Sequence, residues 1–154
     1  MYELALKTIS QSEKLRLLKA LAKSKDLTIL KFYLSQTSNE QIIKKQDEPS
    51  ILARIAYNPY GQRLVLDHLD KNWNTFIEKY GHVAFTLPRL IQITTQKLHE
   101  SFDIKVIERF LNNHDNTGIA RPAFVEALEK VQTNHRWMVK NYNDVKQWLL
   151  DLSN

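Results

Sequence analysis

No cysteine occurs in the 154 residues, which removes disulfides, thiolate nucleophiles and cysteine-ligated zinc or iron–sulfur centres from consideration. The compartment stays open, because a secreted domain of this size need not be cross-linked. Glycine occurs three times and proline four, where average usage would put glycine near ~7%. Turn-rich β architectures and glycine-cradled phosphate loops are both disfavoured. No apolar run approaches the roughly 18 residues needed to cross a bilayer, and no signal-peptide pattern opens the chain. Strong charge is missing too. The formal charge is +5 and the pI about 9.4, with Lys and Arg scattered along the chain. That pattern reads as a mildly basic solvated surface before it reads as a nucleic-acid or acidic-membrane footprint.

What is present is a globular composition, 43% hydrophobic and 25% charged, which rules out wholesale disorder. A chain of this length makes one compact domain, residues 1–154, and buries roughly 68–70% of its unfolded surface. The apolar periodicity is helical nearly throughout. Ser10 and Glu13 form an S-x-x-E capping box ahead of Leu15, Leu17, Leu18, Leu21 and Ala22. Asp26 is placed to cap the next stripe, Leu27, Leu30, Tyr33 and Leu34, and Ser35 to Glu40 reads as a loop. Asp47-Glu48-Pro49 starts a helix that ends at Asn58-Pro59, where the residue before proline is pushed out of helical space. From Gly61 a single long stripe is expected to run to Tyr80, closed by Gly81 as C-cap. Helices follow from Thr86 and Pro88, over Ile104 to Leu111, over Phe124 to Val139, and over Val145 to Leu152, with a polar loop from Asn112 to Gly118. About eight helices of 8–20 residues predict an all-α fold, and successive antiparallel pairs build a bundle or an α-solenoid.

The chemistry-bearing residues form no catalytic constellation. His99-Glu100-Ser101-Phe102-Asp103 is like the zinc-protease motif H-E-x-x-H, but its fifth residue is Asp. Two histidines one turn apart are what put two ligands on a single face. A helix end, with a loop after Glu100, is the preferred reading. His68 and His135 fall within helical stretches and read as part-buried structural residues. Neither a nucleophile elbow, a Walker loop nor a dinucleotide fingerprint occurs. Lys44, Lys45, Arg54, Arg63 and Lys71, interleaved with Tyr57, Tyr60 and Trp73, outline a basic stripe of the kind that binds nucleic acid. Asp47, Glu48, Asp67 and Asp70 interrupt it, so a solvated face is favoured. Trp137 and Trp148 are expected to pack between neighbouring helices.

Residues 58–73, Asn58-Pro59-Tyr60-Gly61-Gln62-Arg63-Leu64 through Asp67, Leu69, Asn72 and Trp73, form a further motif. Lys79-Tyr80-Gly81, Phe110-Leu111, Ala127 to Val131, Asn134 and Trp137 extend it in order and spacing over nearly the whole chain. This resembles the C-terminal helical domain of the aminopeptidase N family of zinc aminopeptidases, including the endoplasmic-reticulum aminopeptidases. The resemblance implies a HEAT-like α-solenoid of antiparallel helix pairs, matching the later part of that domain. It implies no catalytic or metal-binding residue in this chain and no cofactor held by it, with zinc in the catalytic domain of a parent polypeptide. The implied role is to close a peptide chamber and shape access of substrates that lose N-terminal residues. The partners implied are peptide substrate and the catalytic domain, with no nucleic acid and no membrane contact by this segment. The resemblance leaves the compartment of this chain open and implies for the parent a membrane-anchored ectoenzyme or a lumenal enzyme ahead of a cytosolic one. Tyr57, Thr94, Thr95 and Lys97 match places that face the chamber in relatives; for the threonines the alternative is helix-terminus capping. Leu66 and His68 stand where the family has aromatic residues, Leu98 where Phe is common, and His135 where Ile is common. A free-standing helical module that binds a protein or peptide is the alternative function.

Overall fold

The computed structural model describes residues 2–8 and 10–152. Among them are nine α-helices, one 3-10 turn and no strand. The helices are α1 (Tyr2–Lys7), α2 (Gln11–Leu21), α3 (Leu27–Ser35), α4 (Glu48–Tyr57) and α5 (Gln62–Lys71). They continue as α6 (Trp73–Tyr80), α7 (Thr86–Thr95), α8 (Ser101–Asn113) and α9 (Arg121–Leu152), with the 3-10 turn at Gly118–Ala120. α2, α4, α7 and α9 lie side by side in that order. Behind them, α3 packs on α4 and α5, α5 on α4 and α7, and α8 on α9. Stacked helix pairs of this kind make the α-solenoid-like architecture expected from the periodicity. None of the described helices is long and apolar enough to cross a membrane.

The stripes explain the packing. Ile51, Leu52 and Ile55 of α4, Val65 and Leu69 of α5, and Leu87 and Ile91 of α7 are completely buried. Their i, i+3, i+4 spacing puts each set on one helix face. Trp73, Phe110 and Phe124 bring α6, α8 and α9 together, with ring centroids 5.1, 5.5 and 4.3 Å apart. The indole N–H of Trp73 donates to the Asn116 carbonyl at 3.0 Å, so the polar end of this buried ring is satisfied. Asp26 caps α3 as expected, accepting from the N–H groups of Thr28 and Ile29 at 2.7 and 3.3 Å. Ser10 caps α2 through the Glu13 N–H at 3.5 Å.

Four expectations are corrected. The stripe from Gly61 to Tyr80 is two helices, α5 and α6, parted at Asn72 (φ −117°, ψ 18°). The Asn72 amide bonds the His68 carbonyl at 2.8 Å, an alternative to the helical ladder that lets the chain turn and send Trp73 into the core. The last two helices are one, α9, because no glycine or proline interrupts residues 123–152. Trp137 and Trp148 lie on its exposed part, 54% and 60% accessible, not between helices. Burial on α9 ends at Val131, and Asn134 and His135 reach the carbonyls of Gln96, Leu98 and His99 just ahead of α8. Beyond that point α9 overruns its neighbours. Finally, Glu100 does not lead into a loop: it is the N-cap of α8, in a reciprocal capping box with Asp103.

Candidate functional site

The Asn58-Pro59-Tyr60-Gly61 corner sets the geometry of the inner layer. Proline cannot continue α4, so Asn58 turns to extended backbone (φ −76°, ψ 124°). Its side-chain amide donates to the Ala22 and Ser24 carbonyls at 2.9 and 2.6 Å, satisfying the open end of α2. Its side-chain oxygen accepts from the Tyr60 N–H at 3.1 Å. A Cβ on Gly61 would collide with the Ile55 carbonyl and stand 2.7 Å from Ile55 Cγ2, so only glycine lets the chain fold back this closely. Asn134 repeats the device one layer on, donating to the Gln96 and Leu98 carbonyls at the end of α7.

This corner holds Tyr57 on the last turn of α4 with its ring half-exposed. Three adjoining grooves meet there. Between α4 and α7 a cavity of about 700 Å³ is lined by Ser50, Arg54, Tyr57, Arg89 and Ile93. Between α2 and α4 one of about 550 Å³ is lined by Arg16, Lys19, Lys23, Arg54 and Tyr57. Between α7 and α9 one of about 500 Å³ is lined by Tyr57, Arg89, Thr95, Glu126 and Lys130. Tyr57 borders all three.

The other expected positions distribute unevenly. Thr95 shares the third groove with Tyr57, and its hydroxyl donates to the Ile91 carbonyl at 2.9 Å. Thr94 is fully buried and donates to the Leu90 carbonyl at 2.7 Å. Lys97 is exposed on the turn after α7 and lines none of these three grooves. Sequence reasoning passed over Arg16, Lys19, Lys23, Arg89 and Lys130, and read Arg54 as part of a solvated stripe. The signal was present within single helices: Arg16 and Lys19 share a face of α2, with Lys23 on the turn that follows it, and Arg54 and Tyr57 share a face of α4. That these faces belong to one surface is a tertiary fact.

Several charged groups outside the grooves form pairs that join helices. Asp103 is buried and takes both Nε and Nη2 of Arg63, at 2.7 and 2.9 Å. Burial pushes its carboxyl pKa up, but the Arg63 hydrogen bonds and the N–H groups of Glu100 and His99 outweigh it and hold it below the ordinary value. Glu48, also buried, receives Tyr80 Oη at 2.7 Å and Lys79 Nζ at 3.2 Å. Burial first, and then that carboxylate, raise the Tyr80 phenol. Asp70 holds His114 Nε2 at 2.8 Å and Arg109 at 3.7 Å. These pairs brace one helix to another and face no groove described above. Among the described residues, no three His, Asp or Glu side chains converge into a group able to hold a metal ion.

The surface offers shape and charge around Tyr57, and comparison with known proteins places the chain in a family. Residues 1–133 match the family model described as the ERAP1-like C-terminal domain. The chain is 36% identical to human aminopeptidase N over 147 residues, 94% of this chain and 15% of that protein. It is 35% identical to chicken aminopeptidase Ey over 142 residues, covering 91% of this chain and 14% of that protein. It is 31% identical to the human thyrotropin-releasing hormone-degrading ectoenzyme over 142 residues, 92% and 13% of the respective lengths. The chain thus spans about 15% of the length of the curated relatives it matches. With its helical layers, its Asn-Pro-x-Gly corner and these matches, the chain belongs to the ERAP1-like C-terminal domain family, the helical C-terminal region of aminopeptidase N-type enzymes.

Proposed function

We propose that this chain is a noncatalytic wall of the substrate chamber in a zinc aminopeptidase that removes N-terminal residues from peptides. The observation that carries this reading is the continuous grooved face of α2, α4, α7 and α9, meeting at Tyr57. Zinc bound in the catalytic portion would activate water and polarise the scissile carbonyl. The residues of this chain act on the rest of the peptide. Tyr57 and Thr95 contact a peptide lying across the inner layer, Arg54 and Arg89 flank it, and the stacked helices behind keep water from the chamber. Positioning of this kind lowers the barrier by restricting geometry, and closure of the wall limits which lengths enter. In this reading residues 1–154 act as one unit, the later part of the C-terminal domain, and the peptide and the catalytic portion of the same polypeptide are its partners. Lys97 sits at the rim on the turn after α7, and the buried Thr94 acts from behind by holding the last turn of that helix. The parent enzyme is a membrane-anchored ectoenzyme or a lumenal enzyme.

The test joins this chain to its catalytic portion and compares peptides of about ten residues with a single-residue anilide. Tyr57→Ala is expected to lower kcat/KM for the peptides about threefold or more and to leave the anilide unchanged. Equal kinetics of variant and wild type on both substrates would reject a chamber wall. Zinc-dependent release of an N-terminal residue by the 154-residue chain alone would reject a noncatalytic role.

A further inference from the structure

The three grooves carry Arg16, Lys19, Lys23, Arg54, Arg89 and Lys130 against a single carboxylate, Glu126. Removing these seven from the chain's 22 Lys and Arg and 17 Asp and Glu leaves 16 of each sign. The whole formal excess of +5 therefore sits on this one face, and the rest of the molecule is balanced. Among the described residues none of the six cations takes part in an ion pair, so each keeps its charge for a ligand; Arg63, Lys71, Lys79 and Arg109, outside the grooves, are four that are paired. Five come from four helices, α2, α4, α7 and α9, and Lys23 from the turn after α2, so only the fold assembles them. A groove of one sign with low-dielectric walls concentrates ligands of the opposite sign.

We propose that this face selects peptide substrates by negative charge, taking chains with Asp or Glu side chains downstream of the N-terminal residue and disfavouring Lys- or Arg-rich ones. The assignment deepens the chamber reading and rests on it. An acidic peptide suits the face better than a single-stranded nucleic acid does. Among the described residues Tyr57 is the one aromatic ring lining the three grooves, and strand binders use successive rings on which bases stack. Arg54, Tyr57 and Arg89 line one groove between α4 and α7, so an extended chain lying in it meets two guanidinium groups and one ring.

The experiment uses the 154-residue chain and three labelled decapeptides with the same N-terminal residue, rich in Glu, Ser or Lys, followed by fluorescence anisotropy. At ~20 mM salt the Glu peptide is expected to bind at least about tenfold more tightly than the Ser peptide, and the Lys peptide more weakly than both. The preference should collapse at ~300 mM salt. Arg54→Gln with Arg89→Gln should weaken the Glu peptide about fivefold or more. Lys105→Gln with Lys140→Gln removes the same charge from exposed positions away from the grooves and should change affinity less than about twofold. Equal loss in both double variants, or no preference among the peptides, overturns the proposal. Tighter binding of a single-stranded oligonucleotide of equal charge overturns it in favour of nucleic acid. The joined enzyme separates the two readings. If Glu and Lys peptides bind the chain differently yet are cleaved with equal kcat/KM, the chamber reading fails and the substrate assignment with it. If no preference exists but Tyr57→Ala still slows long peptides, the chamber stands and charge selection falls.

Discussion

His68 is a part-buried histidine whose Nε2 has no hydrogen-bond partner among the described residues, and its ring meets Phe76 edge-on at 5.8 Å. Nδ1 lies 3.5 Å from the Asn72 amide. Burial lowers its pKa below the ordinary 6.5, and Lys71 lowers it further, against an opposing pull from Glu48 and Asp67. Because the unfolded chain takes up the proton more readily, stability is full above pH 6.5 and is lost as pH falls through 6.5 toward the lower folded value. His68→Phe installs the aromatic residue that the family resemblance places here. It is expected to add about 1 kcal/mol at neutral pH by removing an unsatisfied polar atom, and more at pH 5. Thermal melts between pH 5 and 8 check this; wild type and variant losing stability in parallel on acidification would exclude His68 as the source. That the position is helical was legible from its spacing. Its orphaned nitrogen was not, because satisfaction depends on which neighbours the core supplies.

The start of α8 shows how one residue can close a helix and bind two layers. Asp103 accepts from the N–H groups of His99 and Glu100 at 3.2 and 2.9 Å while holding Arg63 of α5. Arg63 keeps 55% of its side chain exposed, and Asp103 only 2%. Losing Asp103 leaves a solvated guanidinium but uncaps the helix, at a cost of about 2–3 kcal/mol. Losing Arg63 leaves a buried carboxylate still held by two N–H groups, at a cost of about 1–2 kcal/mol. Urea titration of Asp103→Ala and Arg63→Ala should give that order; the reverse would mean that charge pairing outweighs the cap. The folded pKa of Asp103 lies below 3.8, so its contribution persists above that value and is lost as pH falls through the depressed one. The letters H-E-x-x-D hinted at a motif, and the physical content is a capping box. The two are hard to tell apart in a string, since both place polar, ligand-type side chains one turn apart.

α9 gives the molecule an unequal end. Phe124, Ala127 and Val131 are buried in its first three turns, while Trp137, Tyr142 and Trp148 are more than half exposed. Trp137→Gln combined with Trp148→Gln is therefore expected to leave the melting temperature within about 2 °C. Phe124→Ala, which opens the aromatic cluster with Trp73 and Phe110, should cost about 3–5 kcal/mol. Differential scanning calorimetry measures both. A large loss from the tryptophan pair would show that they pack on something within the chain.

The amino-acid sequence by itself determined the all-helical class, most helix starts, the corner at Asn58-Pro59 and the core stripes, because periodicity, caps and proline act within a few residues. Only the tertiary structure decided that the chain turns at Asn72, that α9 continues past its neighbours, and that cations from four separate helices share one grooved face around Tyr57. Those outcomes depend on which helix lies beside which. Groups up to about 110 positions apart in the chain, such as Arg16 and Lys130, line grooves that meet at Tyr57 without any local pattern to announce it.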